Sequence, residues 1–268
     1  MYSFQTQNIG LTSVINAREL GGYLLPDGRK VRWGCLLRGG SFAALTPQDR
    51  AILRDKYHLA VNFDFRTETE VTFAPDRPVQ GAKHIWLPAI DPATETVQDS
   101  TFPADAYRDL GNFLVKHAAD PLAQRLARNL YIDMVTNEYT QLQYAAFMQS
   151  IVETTGGAVY WHCSQGKDRT GLGAAFILCA LGADRDLILQ DYRISNEVYK
   201  EEVETYCSKV STDAEKAVIL TFIGVNEQYF CDALDLIDRR YGSLEGYLKG
   251  PLCMSDEDIK ILRERYTE

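Results

Sequence analysis

An α/β fold, built on a central, largely parallel sheet flanked by helices, is predicted for this 268-residue chain by three observations. The stretches Leu59–Asp64, Lys83–Leu87 and Ala158–His162 are short and mostly apolar, as buried strands are. Helical patterns alternate with them, and everything from Asp186 to Glu268 reads helical. With 46% hydrophobic residues, the chain can also bury a sizeable core.

Taken in order, Gly22–Trp33 reads as a hairpin whose turn is Pro26-Asp27-Gly28. Leu36-Leu37-Arg38 continues as a strand, and Thr46 caps a helix with Pro47 at its first position. Residues 92–119 break the regularity, polar from Pro92 to Thr96 and apolar again at Phe113-Leu114-Val115. One helix is expected from Asp120-Pro121 towards Met134 and another from Glu138 to Val152. A further helix begins at Thr170, and Ser255-Asp256-Glu257-Asp258 opens the last one with a capping-box pattern. The chain reads as one domain, 1–268, with the segment 92–135 as a lid-like insertion or as ordinary helical packing.

Charge and cysteine usage narrow the function classes. A net charge of −9 argues against nucleic acid as a partner. No apolar stretch is long enough to span a bilayer, so integral membrane association is not expected. The first residues lack the basic-then-apolar order of a secretory signal. Cysteines 35, 163, 179, 207, 231 and 253 follow no disulfide framework, so reduced thiols in a cytoplasmic setting are expected, with non-classical export as the alternative. Oligomeric state is not legible at this level.

The most informative segment is His162-Cys163-Ser164-Gln165-Gly166-Lys167-Asp168-Arg169-Thr170-Gly171. It follows an apolar strand and opens a helix. Gly166 tolerates unusual backbone angles, so the amides of Ser164, Gln165, Gly166, Lys167, Asp168 and Arg169 can turn inward as an anion-binding nest. The helix dipole adds roughly half a positive charge there. Such settings lower a thiol pKa from about 8.5 into a range of roughly 3.5–7.5. A shift of about 2 units corresponds to about 2.7 kcal/mol in favour of the thiolate. Cys163 is therefore expected to be a nucleophile, and Arg169 to hold two phosphoryl oxygens with its fork. Thr170 can donate to the departing sulfur, and His162 orients the loop. No metal or other cofactor is expected, because neither a Cys-x-x-Cys pair nor a second histidine lies nearby. A Walker-type nucleotide loop is excluded because Gly166-Lys167 is followed by Asp168.

This loop resembles the signature of the Cys-based protein tyrosine phosphatase superfamily. Its Gly-Lys-Asp-Arg-Thr-Gly version is similar to the bacterial atypical dual-specificity group typified by mycobacterial tyrosine phosphatase B. Further segments resemble that group in order: Asn16-Ala17-Arg18-Glu19-Leu20-Gly21-Gly22-Tyr23, Leu37-Arg38-Gly39-Gly40-Ser41 with Leu45-Thr46, Asp64-Phe65-Arg66-Thr67-Glu68-Thr69-Glu70, and Asp191-Tyr192 with Ser195-Asn196. Glu19 stands where Asp is usual, and Gly39-Gly40 interrupts an Arg-Ser pair. The resemblance implies a phosphomonoesterase working through phosphocysteine, on phosphoproteins and, as an extension, phosphoinositides. Within enzymes the alternative is an inositol-polyphosphate phosphatase; outside them, a phospho-binding pseudophosphatase.

Two residues inside the loop carry further expectations. Lys167 is read either as a rim cation attracting multiply phosphorylated substrates or as the partner of a nearby carboxylate. A general acid is needed for the leaving oxygen. In myotubularin-like relatives the position before the loop Arg is thought to serve, and here it is Asp168; Asp91, after the strand at 83–87, is the competing candidate. The alternatives are that Asp168 pairs with Arg18 or Arg66 to order the loop, and that Asp91 is a solvated turn residue. Arg18 and Arg66 are read mainly as support for the loop. Tyr192 and Asn196 share a helix face and are read as packing residues; His58, His84 and His117 are read as structural.

Overall fold

The structure, a computed structural model, describes residues 2–93 and 109–268. Its centre is a five-stranded sheet: β1 (Arg18–Glu19), β2 (Leu36–Gly39), β3 (Val61–Asp64), β4 (Lys83–Trp86) and β5 (Val159–His162), in the spatial order β1-β2-β5-β3-β4. All neighbours are parallel except the edge pair β1–β2. The expected α/β class is therefore what is seen. Strand β5 lies at the middle, with His162 in register with Gly39 on one side and Asp64 on the other. Ligands bind beyond the carboxyl ends of such strands, and that is where the Cys163 loop begins.

Alternation along β5 divides the core. Val159 and Trp161 face the larger apolar cluster, with Phe63, Phe65, Phe147 and Phe176. Tyr160 faces the smaller one, with Leu37, Phe42, Leu53 and Leu59. Burying each large side chain contributes roughly 1.5–3 kcal/mol, which makes β5 the strand most heavily committed to the fold.

Helices α1 (Phe4–Gln7), α2 (Pro47–Ala51), continuing as a π-type turn at Ile52–Lys56, and α3 (Glu68–Phe73) occupy the first half. The Thr46 hydroxyl accepts from the Asp49 amide with Pro47 at the first turn, as the sequence predicts. The hairpin at 22–33 forms as expected around a positive-φ Gly28, with Leu25 N donating to Arg29 O at 2.8 Å, Val31 N to Tyr23 O at 2.9 Å and Gly22 N to Val31 O at 2.7 Å. Lys30 and Val31 pair in addition with Glu268 and Thr267.

Next come α4 (Leu110–His117), α5 (Pro121–Thr136) and α6 (Glu138–Glu153), then α7 (Asp168–Leu181) directly after the loop. Helices α8 (Arg185–Val198), α9 (Lys200–Cys207), α10 (Asp213–Phe222), α11 (Glu227–Tyr241), α12 (Leu244–Lys249) and α13 (Asp256–Tyr266) complete the chain. The last opens with the expected Ser255–Asp258 capping box. Residues 94–108, the first part of the lid-like segment, lie outside the described residues. The rest of that segment packs Leu114, Ala123 and Ala127 on Val218, Ile219 and Ile223 of α10 and its end. Among the described residues, no helix is long and apolar enough to cross a membrane.

Candidate active site

Cys163 follows β5 and is nearly fully buried, and the next residues turn around Gly166 into α7. At Gly166 φ is +68°, and a Cβ there would overlap the Gly39 carbonyl and the Gly40 amide. Only glycine satisfies both the backbone angle and this close approach. Gly39 and Gly40 have tight surroundings of their own, since a Cβ at Gly39 would overlap the Tyr160 hydroxyl and Ala17, and one at Gly40 would overlap Ile15.

The loop carbonyls are held on the scaffold side. Ser164 O accepts from the Ser41 amide at 3.3 Å, and Gln165 O from the Tyr199 hydroxyl at 2.7 Å. Gly166 O accepts from Asn16 Nδ2 at 2.8 Å and Arg38 Nη2 at 3.0 Å, and Lys167 O from the Gly171 amide at 2.8 Å. In a planar trans peptide the N–H points opposite to the preceding C=O. The amides of Gln165, Gly166, Lys167 and Asp168 therefore face the other side together, which makes a nest for an oxyanion at the start of α7.

Charges buried behind the loop keep this geometry. Asp191 pairs with Arg18 at 3.2 Å and with Arg38, and accepts from Tyr23 at 2.9 Å. Burial opposes its charge, but the two guanidiniums hold its carboxyl below the usual range. Burial and the neighbouring Arg18 lower Arg38 to about 10. Arg18 also donates to Asn16, the residue that grips Gly166 O. Arg18 thus supports the loop through Asn16 rather than reaching toward Asp168. Arg66 lies further away, joined to Asp64 at 2.7 Å, Asp76 at 2.8 Å and Ala74 O at 2.7 Å.

His162 places Nε2 2.9 Å from Asp76 and Nδ1 3.1 Å from Cys163 O. Burial disfavours its charged form, yet Asp64 and Asp76 raise its pKa above the ordinary value. Asp64, Asp76 and His162 bring ligand atoms within 4.8 Å of one another, a spacing that could suit a cation. Arg66 already pairs with both carboxylates, which lowers the negative charge left to hold one.

At the nucleophile, burial works against a thiolate, but the Arg169 guanidinium and the Thr170 hydroxyl bring Cys163 below its usual pKa. Arg169 is held by Glu70 through a two-pronged pair, 2.6 and 2.8 Å. The same carboxylate accepts from Ser164 Oγ at 2.5 Å and from the Thr67 amide at 2.9 Å. Burial would raise its pKa, but Arg169, with Ser164 and Thr67, lowers it to about 2. Glu70 is a site residue that sequence reasoning missed. Its signal was Thr67-x-x-Glu70, a capping box that fixes the side chain at the start of α3.

Asp168 accepts from Tyr131 of α5 and lies 3.5 Å from Lys167 Nζ. Neither Arg18 nor Arg66 is its partner. Lys167 is not a rim cation, which corrects one reading of it. Its side chain is buried, and Nζ donates to Thr221 O at 3.0 Å and Gly224 O at 2.6 Å. With three donors used inward, it offers none to solvent. Asp91 is half-buried beside α6, where Asn137 Nδ2 at 2.9 Å and the Ala93 amide at 2.8 Å bind its oxygens and lower its pKa. Its contacts are those of a turn that joins Asp91 to the cap of α6.

Known proteins similar to this chain share one enzyme class. A candidate tyrosine-protein phosphatase of Cupriavidus necator is 28% identical over 264 residues, 97% of this chain and 88% of that protein. The triple specificity protein phosphatase PtpB of Mycobacterium tuberculosis is 29% identical over 238 residues, covering 82% of this chain and 86% of its own. A tyrosine-protein phosphatase of Nostoc commune is 29% identical over 133 residues, 47% of this chain and 45% of its own. The model of the tyrosine phosphatase family matches residues 9–268, and the chain belongs to that family.

Proposed function

We propose that the protein is a protein tyrosine phosphatase that cleaves phosphate monoesters through a phosphocysteine intermediate. The observation that carries this reading is a buried Cys163, brought below its usual pKa by Arg169 and Thr170, in a loop whose carbonyls bond to Ser41, Tyr199, Asn16 and Arg38 and so leave its amides to the other side. The Cys163 thiolate attacks phosphorus in line as the bond to the leaving oxygen breaks, and Asp168 gives that oxygen its proton. Arg169 and the loop amides carry the charge on the three equatorial oxygens. Water then attacks phosphorus, its proton passes to the Asp168 carboxylate, and the sulfur–phosphorus bond breaks to release inorganic phosphate. Thr170 stabilises the departing thiolate.

Asp168 is favoured over Asp91 on physical grounds. Asp168 is the residue before Arg169 in the first turn of α7, whereas Asp91 is tied to the cap of α6 by Asn137 and to its own turn by the Ala93 amide. The chain acts as one catalytic domain, and the described part of the lid-like segment, 109–135, reaches the site through Tyr131 on α5, in contact with Asp168. Six free cysteines support a reducing compartment, the cytoplasm, as the place of action. Phosphotyrosine proteins are the first substrate class. Phosphoserine and phosphothreonine follow, in line with a relative named a triple specificity protein phosphatase, and phosphoinositides are the further class to be tried.

The test is hydrolysis of para-nitrophenyl phosphate by the wild type and by Cys163→Ser. The wild type should turn over and the variant should lose activity by more than about a thousandfold, as loss of a nucleophile does. Equal rates would remove Cys163 from the mechanism. An inactive wild type that still binds phosphopeptides would make the protein a binding module.

A further inference from the structure

Asp168 is tied to two tyrosines that lie far from it in sequence. Tyr131 of α5 donates its hydroxyl to Asp168 Oδ1, and its oxygen lies 2.5 Å from the hydroxyl of Tyr192 on α8. A phenol has one hydrogen to give. Since Tyr131 spends its own on Asp168, the second bond must run from Tyr192 to Tyr131. The chain of donors therefore has one direction, ending on the carboxylate.

The rings that present these hydroxyls are fixed. Both side chains are buried. Phe230 of α11 stacks on Tyr192 at 4.0 Å and 7°, and meets Tyr131 edge-on at 6.0 Å and 85°. Burial, followed by the nearby Asp168, raises both phenol pKa values well above 10, so both stay neutral donors. A carboxyl group left alone turns readily, because its terminal torsion is broad and two-fold. Here Tyr131 holds Oδ1 in place, which fixes the plane of the group and the direction of Oδ2, whose nearest cation is the Lys167 ammonium at 3.5 Å.

We propose that Tyr131, backed by Tyr192, is a positioning residue that sets the orientation of the Asp168 carboxyl for proton transfer to the leaving oxygen. The inference rests on Asp168 being the acid, and it adds that the acid is aimed by the insertion helix α5. Tyr131 has no place in the expected signature, since it lies more than thirty residues before the loop.

The test compares phenyl phosphate, a poor leaving group, with para-nitrophenyl phosphate, a good one, for the wild type, Tyr131→Phe, Asp168→Asn and the double variant. Tyr131→Phe should lower kcat on phenyl phosphate about tenfold, the worth of one hydrogen bond to a charged group. It should lower kcat much less on para-nitrophenyl phosphate and leave KM and orthovanadate inhibition unchanged. Asp168→Asn should cost about a hundredfold on phenyl phosphate, as loss of a general acid does. In the Asp168→Asn background, Tyr131→Phe should add nothing.

If Asp168→Asn slows both substrates equally, the acid itself has been misassigned and the role moves to Asp91. If Asp168→Asn is selective but Tyr131→Phe is not, the acid stands and the positioning role is overturned. Equal, additive losses in both backgrounds overturn it as well. Should Tyr131→Phe not fold, Tyr192→Phe leaves Tyr131 in place, and a smaller loss with the same leaving-group selectivity is then required.

Discussion

Replacing Glu70 by glutamine should separate the holding of Arg169 from the binding of phosphate. The side chain keeps its size and one acceptor oxygen but loses the charge that faces the guanidinium at 2.6 and 2.8 Å. The lowering of the Glu70 pKa from 4.5 to about 2 is the net of burial, which raises it, against Arg169, Ser164 and the Thr67 amide, and sets the scale of what the charge contributes. At about 1.4 kcal/mol per unit, it amounts to about 3 kcal/mol. Both partners are largely buried, at 12% and 20% exposure, so little of this is lost to solvent screening. Spread over folding, a loss of that size lowers Tm by roughly 6–12 °C for a chain of this length. Spread over catalysis, it lowers kcat about a hundredfold. KM should change little, because removing an anion from the pocket offsets the poorer aim of Arg169. Steady-state kinetics on para-nitrophenyl phosphate, run below the variant's melting transition, provide the assay. Full kcat in a folded Glu70→Gln protein would refute the argument, since Arg169 would then need no carboxylate to hold it.

Two further outcomes follow from buried charges. Lys167→Ala leaves the carbonyls of Thr221 and Gly224 without their donor, at a cost of about 1–3 kcal/mol each. Its thermal melt should drop, and its rates should fall by one common factor on phosphotyrosine peptides and phosphoinositides; a loss confined to phosphoinositides would place the ammonium at the pocket mouth after all. In acid, Asp64, Glu70, Asp76 and Asp191 all have folded pKa values below their ordinary ones. Groups of that kind stabilise the fold above their unfolded pKa, near 4, and lose the contribution as pH falls through the folded value. His162 has the opposite sign, so its contribution fades as pH rises through its elevated pKa. Thermal melts from pH 9 to pH 3 should trace a dome with a steep acid side, and a Tm unchanged between pH 5 and pH 3 would contradict it.

The parts of this protein legible in its sequence were those set by local rules. The three inner strands, the capped helices at Thr46 and Ser255 and the Cys163–Arg169 loop each lie within a dozen consecutive residues. Burial pattern, capping chemistry and spacing sufficed to find them. The parts that stayed hidden depend on distant pairings. Asp191 binds two arginines more than 150 positions away, and Glu70 meets Arg169 across 99. Lys167 shows the limit most clearly. A lysine in a polar loop reads as solvent-facing, and only the approach of the turn at 221–224 turns it inward. The Gly22–Trp33 hairpin was legible from its turn, and what stayed hidden is its second pairing, with the C-terminal residues Thr267 and Glu268.

The outward grip on the loop carbonyls bears on selectivity. Asn16, Arg38, Ser41 and Tyr199 set the nest into its shape before any anion arrives, so capture requires almost no reordering of backbone. A cradle pre-shaped for a tetrahedral oxyanion treats inorganic phosphate much as it treats an esterified one. Product should therefore linger as a competitor, and sulfate or phosphate buffers should blunt turnover. Whatever distinguishes one phosphorylated molecule from another must be contacted outside the ring of amides, by the walls through which the rest of the substrate passes.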